Sequence, residues 1–205
     1  MQQNLSLEIH SFSQSNHSVT VHGCTVPLLN TLRRCLLMDV PSLSLDLITI
    51  ENNSSNMPNE MLCHRLGMIQ LPFVKLKNDC DCMITCKDCS LTVYLDKKGM
   101  SDVNGNDLHC ESLDTSCLKG LIVKLADKQS IKLKGIAKNG IAKEHSKFQA
   151  VNLVSFIKVN DQYKGLKIEL ADHREIHEIL EWAIETFLTK IRRLQREIEN
   201  VSGDL

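Results

Sequence analysis

Residues 171–201 form a long amphipathic segment that constrains the fold of this chain more than any other feature. Its apolar residues recur at steps of three and four, the spacing at which side chains share one face of an α-helix. Asp172 and Glu175 make a D-x-x-E variant of the capping box at its start. The pattern predicts a helix of about 26 residues, roughly 40 Å long. The apolar stripe consists of Ile176, Ile179, Leu180, Ile184, Phe187, Leu188, Ile191, Leu194 and Ile198.

A stripe of this length needs more covering surface than the rest of a small chain easily provides. Left exposed, it would be a contiguous apolar patch of a kind that soluble monomers rarely show. Such stripes usually find part of their partner outside their own domain. The sequence therefore predicts that this helix contacts another chain.

The composition fits a globular protein and argues against two classes of function. The chain has 205 residues, of which 42% are hydrophobic, and a formal net charge of −1. A protein that mainly grips a nucleic-acid backbone usually needs a basic surface. We expect no membrane span, because no apolar run reaches about 18 residues, and the first ten residues lack the features of a signal peptide. The odd cysteine count, nine, fits a reducing compartment.

Four of the nine cysteines fall within ten positions, in the spacing C-x-C-x3-C-x2-C. They are Cys80, Cys82, Cys86 and Cys89. Four thiolates satisfy a tetrahedral Zn²⁺ with Zn–S distances of about 2.3 Å, and one loop can supply all of them. Such a site has no open position for a substrate, so we expect one structural zinc ion. An iron–sulfur cluster and four reduced surface thiols stay open as alternatives.

The sequence indicates no catalytic centre. It contains none of the common phosphate-binding, dinucleotide-binding, nucleophile-elbow or zinc-protease motifs. His173 and His177 lie four residues apart on the long helix, a spacing that could hold a metal ion. A position at the solvent-exposed N-terminal end of the helix is the better explanation for both histidines. Cys63 and His64 have no apparent orienting acid. The middle of the chain contains many lysines, which we interpret as the solvated face of two strands in preference to a nucleic-acid contact. They are Lys119, Lys124, Lys128, Lys132, Lys134, Lys138, Lys143 and Lys147.

The remaining segments predict strands and two shorter helices. Residues 5–9 and 17–23 alternate as in a hairpin, and residues 42–51 alternate with a change of phase. Helices are predicted at 27–39, with Thr25 as cap and a face of Leu28, Leu32, Cys35 and Leu36, and at 57–67, with Asn56 as cap. Residues 98–108 are turn-rich and expected to be mobile. Further strands are predicted at 91–95, 148–159 and 166–170 and as a pair within 118–140.

Three stretches together resemble the α-like subunits of multisubunit RNA polymerases. Residues 30–72 contain N-T-L-R-R, a proline-ended turn and H-R-L-G-M-I, which match the order of motifs in those subunits. Residues 135–156 are similar to the family's G-I-A-K-x-H-A-K-W segment, with Ser146 and Phe148 as mild departures. The cysteine spacing resembles that of the third-largest subunit of eukaryotic RNA polymerase II. The archaeal counterpart of that protein and the N-terminal domain of bacterial alpha share the architecture.

The resemblance implies an α+β fold with a discontinuous dimerisation domain, residues 1–43 and 154–205, made of antiparallel strands and the long C-terminal helix. Residues 44–153 would be a mixed insert domain that carries the zinc loop. The expected function is that of a non-catalytic assembly subunit, and the active site would lie on other subunits. The alternative is a free-standing zinc-binding transcription regulator or redox protein.

The resemblance also implies partners. A smaller α-like subunit would pair with the long helix, and the second-largest subunit would meet the helix that carries Arg33 and Arg34. Small polymerase subunits would bind as well, and DNA only through the complex. The chain would work in the nucleus of a eukaryotic cell, or in the host cytoplasm or virion if a large DNA virus encodes it. The expected dimer-contact residues are Ile176, Leu180, Phe187, Ile191, Leu194 and Ile198.

Overall fold

The computed structural model describes residues 5–77, 80, 82, 85–118, 120–159, 162–171 and 173–203. The chain divides into two compact units. The terminal unit consists of Met1–Pro41, Ile141–Lys143 and Gln149–Leu205, and the middle unit consists of Ser42–Gly140 and Glu144–Phe148. Each unit has its own hydrophobic core. The mixture of strands and helices confirms the predicted α+β class.

Within the described residues the chain forms nine strands and three α-helices. In chain order these are β1 (Ser6–Ser11), β2 (Asn16–His22), α1 (Val26–Met38), β3 (Pro41–Asn53), α2 (Asn59–Gly67), β4 (Leu91–Lys98), β5 (Ser101–Asn104), β6 (Leu121–Leu125), β7 (Ser130–Ile141), β8 (Val151–Val159), β9 (Gln162–Leu170) and α3 (Ile176–Gly203). No described helix is long and apolar enough to cross a membrane.

The terminal unit is built on an antiparallel sheet with the strand order β1-β2-β9-β8. The predicted hairpin is confirmed, since β1 pairs with β2 from Ser6 opposite His22 to Ser11 opposite His17. The imidazole of His17 is buried near the turn, 2.9 Å from Ser11 Oγ and 3.1 Å from the Gln14 carbonyl oxygen. Alternation places Val19 in the core with Leu166 opposite it.

Helix α1 agrees with the predicted span and, except at Leu28, with the predicted buried face. Leu29 is 2% exposed, whereas Leu28 is 38% exposed. Leu29 and Leu36 are seven residues apart, about two turns, so they and Cys35 share the buried side. Thr25 occupies the N-cap position, but its side chain makes no capping hydrogen bond.

Helix α3 confirms the strongest helical prediction, with 28 residues from Ile176. Its first turns belong to the core of the terminal unit, where Ile179 and Ala183 are fully buried. Lys190 Nζ lies 2.6 Å from Asp39 Oδ2, which ties the middle of α3 to the end of α1. The predicted capping box includes Asp172, which lies outside the described residues.

The middle unit combines a three-stranded sheet, in the order β3-β7-β4, with the pair β5-β6. The predicted change of phase in β3 is confirmed, because Leu43 and Leu45 are buried, Leu47 is 45% exposed, and Ile48 packs on the core again. Helix α2 buries Leu62 and Leu66 in the core of this unit, and the Ser44 hydroxyl donates to the Gly67 carbonyl oxygen at 2.5 Å.

Two local predictions for the middle unit were wrong. Asn56 does not cap α2; Pro58 holds the N-cap position, and the Asn56 side-chain oxygen instead accepts from Gln129 Nε2 at 3.1 Å. Residues 98–108 are not a mobile loop, because β5 pairs with β6 and Leu108 is fully buried. The turn-forming residues close a short 3₁₀ turn, in which the Asn104 backbone N–H donates to Asp107 Oδ2 at 2.8 Å.

Candidate functional site

The cysteine loop is held in place by backbone hydrogen bonds at its base. The Lys77 backbone N–H donates to the Asp88 carbonyl oxygen at 2.9 Å. The Cys86 carbonyl oxygen accepts from the backbone N–H groups of Cys89 and Ser90, at 3.3 and 3.1 Å, and from the Ser90 hydroxyl at 2.9 Å. These bonds make a tight turn directly before β4, so the last two cysteines are positioned by the start of a buried strand.

All four predicted cysteine sulfurs come together. Sγ of Cys80 lies 3.4 Å from Sγ of Cys86, and Sγ of Cys89 lies 3.6 Å from the sulfurs of both Cys82 and Cys86. All four sulfurs lie within 4.8 Å of one another. Four thiolates about 2.3 Å from a tetrahedral zinc would be roughly 3.8 Å apart. The donor set therefore fits one metal ion.

The thiols of Cys82 and Cys86 differ in how readily they ionise. A hydrogen bond from the Asp88 backbone, with further help from Cys80 and Cys89, lowers the pKa of Cys86 to about 7. Hydrogen bonds with Cys80 and Cys89 raise the pKa of Cys82 to about 12, because a second negative charge is unfavourable there. A bound cation would supply the compensating charge, so metal binding should release protons.

The other candidate ligands do not gather into a second metal site. Among the described residues, no other group of three or more histidine, cysteine or acidic side chains has its ligand atoms this close together. Cys35 is buried in the terminal core, and Cys63 is half-buried. Burial raises the pKa of both thiols. These thiols behave as packing residues rather than nucleophiles.

Several lysines of the basic run are engaged with carboxylates of the middle unit. Lys132 Nζ lies 2.6 Å from Glu51 Oε2, and Lys134 lies over the ring of Tyr94. Lys138 and Lys147 both reach Asp46, at 3.6 and 2.7 Å. Lys132, 52% exposed, fits the solvated-face interpretation, whereas Lys138 and Lys147 are largely covered, at 31% and 15% exposed. Lys119 lies outside the described residues.

Asp46 links three segments of the middle unit, a contact that sequence reasoning missed. Burial alone would raise its pKa, but the hydrogen bond and charge of Lys147, and then those of Lys138, hold the pKa below the ordinary value of 3.8. An acid with a lowered pKa stabilises the folded state above its unfolded pKa, and this contribution is lost as the pH falls through the folded pKa.

Asp46→Asn is expected to lower the free energy of unfolding by about 1 kcal/mol at pH 7, with allowance for the partial exposure of the group. The difference from wild type should shrink as the pH falls below 3.8. Asp102→Asn is the matched control, because Asp102 and Lys124 are 3.7 Å apart and both more than half exposed. Urea unfolding at several pH values measures both variants. An equal loss in both variants, or a loss from Asp46→Asn that does not depend on pH, would contradict this account.

The distal half of α3 carries an exposed apolar stripe. We call the following residues the distal stripe: Ile184, Leu188, Ile191, Leu194, Ile198 and Val201, which are between 41% and 67% exposed. By contrast, Ile176 and Leu180 are buried in the core of the terminal unit, and Phe187 packs partly against it. The exposed part of the stripe therefore begins at Ile184, two turns later than the sequence suggested.

The two arginines of α1 have different surroundings. Arg33 is half-buried, and its Nε donates to Asn30 Oδ1 at 3.1 Å. Its guanidinium also lies over the ring of Phe156, 5.5 Å from the centroid. Arg34 is exposed on the side opposite Leu36. Arg33 thus has a structural role within this chain, and Arg34 is the more accessible of the two.

Comparison with known proteins gives one consistent family. A sequence model of the RNA polymerase Rpb3/RpoA insert domain matches residues 48–164. DNA-directed RNA polymerase II subunit RPB3 of Schizosaccharomyces pombe is 34% identical over 173 residues, which cover 73% of this chain and 58% of that protein. DNA-directed RNA polymerase subunit Rpo3 of Methanothermobacter thermautotrophicus is 32% identical over 148 residues.

The length covered differs among the relatives. The match spans 66% of this chain and 55% of the Methanothermobacter protein, so the chain corresponds to little more than half of the first two relatives. Subunit Rpo3 of Methanocaldococcus jannaschii is 30% identical over 172 residues, with 84% of this chain and 85% of that protein covered. The insert-domain match covers more than half of the chain. The chain therefore belongs to the Rpb3/RpoA family of RNA polymerase subunits.

Proposed function

We propose that this chain is a non-catalytic assembly subunit of a multisubunit DNA-directed RNA polymerase. Its family and the names of its relatives support a role in transcription. The observation that carries the proposal is the distal stripe, an apolar helix surface whose side chains are between 41% and 67% exposed. An assembly subunit needs such a surface to bind its partner, whereas in a free-standing regulator these apolar side chains would stay exposed to water.

The terminal unit would be the dimerisation domain, and the middle unit would be the insert. The proposed boundaries remain those inferred from the sequence, residues 1–43 with 154–205, and residues 44–153. The distal stripe would pack beside its counterpart in a smaller α-like subunit. This heterodimer would be the platform for the two largest subunits, and small subunits and DNA would be reached through the complex. In a eukaryotic cell the chain would work in the nucleus.

The cysteine cluster would hold one structural zinc ion. The four thiolates would fill the coordination shell, so the ion would bind no substrate. Its contribution would be to fold the loop before β4, because a loop with few apolar side chains to bury gains its order from the metal bonds. The partial exposure of all four cysteines is consistent with a surface loop.

Affinity purification of the tagged chain from its native cell tests the assembly function. The expected result is co-purification of a smaller α-like subunit and the two largest polymerase subunits, identified by mass spectrometry. The matched control is the tagged chain with Leu188→Asp and Ile191→Asp, which should recover neither. Recovery of the wild-type chain without any polymerase subunit would contradict the proposal.

Arg34→Ala is expected to weaken docking of the second-largest subunit and to leave the heterodimer intact. An exposed guanidinium can form two parallel hydrogen bonds with a carboxylate, and alanine removes both. Hydrogen bonds to charged groups contribute about 1.5–3 kcal/mol, so we expect roughly a tenfold or larger loss of affinity. Binding of the purified heterodimer to the second-largest subunit measures it. Lys164→Ala, which removes an exposed cation from β9, is the control. Equal losses of affinity in the two variants would indicate that Arg34 makes no specific contact with the second-largest subunit.

A further inference from the structure

A groove on the surface of the middle unit lies between α2 and β6, and the proposed function does not use it. Leu62 and Leu66 of α2 are completely buried, so the opposite side of this helix faces outward. The groove has a volume of about 430 Å³. Its main lining residues are Met57, Pro58, Met61, Arg65, Leu121 and Lys124.

The floor of the groove is apolar and adaptable. Met61 is 57% exposed and Leu121 is 40% exposed, from the helix side and the strand side respectively. Unbranched methionine side chains adjust to the shape of what they contact and are common at binding surfaces. An apolar side chain placed between Met61 and Leu121 would remove both from water.

The rim of the groove is positively charged. Arg65 Nη2 donates to the Leu121 carbonyl oxygen at 2.6 Å, which uses one of five N–H donors and holds the guanidinium at the groove. No carboxylate pairs with Arg65 in the part of the chain that the structure describes. Lys124 contacts Asp102 only at 3.7 Å, with both side chains more than half exposed. Glu60 of α2 instead lies near Cys63 and raises the pKa of that thiol, after burial.

The dimensions suit a short extended peptide. Within the described residues β6 pairs only with β5, and Arg65 of α2 contacts its first residue, Leu121. From Pro58 to Arg65 the helix rises about 10 Å at 1.5 Å per residue. An extended chain advances about 3.3 Å per residue, so three or four residues span the groove.

We propose that this groove binds a short, extended, acidic segment of a partner protein. One apolar side chain of that segment inserts between Met61 and Leu121, and flanking carboxylates pair with Arg65 and Lys124. The charge of the rim selects an acidic over a basic segment. The site is separate from the distal stripe and the cysteine loop, so the inference extends beyond the assembly function and does not depend on it.

Fluorescence anisotropy with the full chain and a labelled peptide of alternating leucine and glutamate tests the proposal. The wild-type chain should bind this peptide, and the same peptide with lysine in place of glutamate should bind at least tenfold more weakly. Met61→Glu should weaken binding of the acidic peptide at least tenfold. Arg65→Gln should weaken it several-fold and reduce its dependence on salt. Met100→Glu is the matched control, because Met100 is 78% exposed and lies outside the groove.

Three results would overturn the proposal. These are equal binding of the acidic and basic peptides, equal losses from Met61→Glu and Met100→Glu, and displacement of the peptide by a single-stranded oligonucleotide. Thermal melting of each variant checks folding. If Met61→Glu melts at a lower temperature than wild type, Arg65→Gln decides the question, and unchanged binding by that variant contradicts the assigned rim.

Discussion

Replacing Leu188 and Ile191 with aspartate is expected to abolish association of this chain with a smaller α-like polymerase subunit. Both side chains are more than 40% exposed in the chain alone. Covering the remaining surface of each contributes roughly 1 kcal/mol, and burying each new carboxylate in an apolar contact costs several kcal/mol more. Since about 1.4 kcal/mol is a tenfold change, affinity should fall at least about 1,000-fold.

The same variant should remain folded, because exposed positions on a long helix change stability little. Thr189→Asp with Asn200→Asp is the matched control: it adds the same charge to the same helix on the side away from Ile191. Isothermal titration with the purified partner measures affinity, and circular dichroism measures helix content. Unfolding of the Leu188 and Ile191 variant would indicate that the distal stripe packs within its own chain. Equal losses in both variants would indicate an effect of charge alone.

The second large effect concerns the cysteine cluster. Purified wild-type chain is expected to contain about one zinc per chain, and Cys86→Ser is expected to lose it. Structural zinc in small sites binds with an apparent free energy of about 10–16 kcal/mol, shared among four bonds. Removing one thiolate leaves the zinc ion with three protein ligands and lowers its binding affinity. Elemental analysis with a thiol assay measures metal content and free sulfurs together.

Cys117→Ser is the control for this experiment, because Cys117 is exposed and lies outside the cluster. It should keep the full metal content. The Cys86→Ser chain should keep its partner affinity, since the cysteine loop and the distal stripe lie in different units. If the purified chain contains iron and shows a visible absorption band, the four cysteines hold an iron–sulfur cluster and not zinc. A wild-type chain with four reactive thiols and no metal would contradict a metal site altogether.

Features that depend on local spacing could be predicted from the sequence. The four cysteines are so close along the chain that a single compact loop can bring their sulfurs near one another. Helix α3 was predictable because its periodicity continues for more than seven turns. In both cases the residues that act together are neighbours in sequence, so no knowledge of tertiary contacts was needed.

Features that depend on tertiary contacts could not be predicted in this way. The stripe on α3 has the same period throughout, yet Leu180 is buried in its own unit and Leu194 is 58% exposed. Where the burial ends depends on the elements that pack against α3, and the sequence of α3 does not contain this information. Asp46 and Lys147 are 101 positions apart, and nothing in either neighbourhood indicates the pairing.

The central claim is that this chain assembles through its distal stripe with a smaller α-like subunit. Sedimentation velocity of the wild-type chain, alone and mixed with that subunit, tests it most directly. The account predicts a stable 1:1 complex in the mixture, and concentration-dependent self-association or aggregation of the chain alone. A monodisperse monomer at all concentrations that ignores the partner would contradict the account.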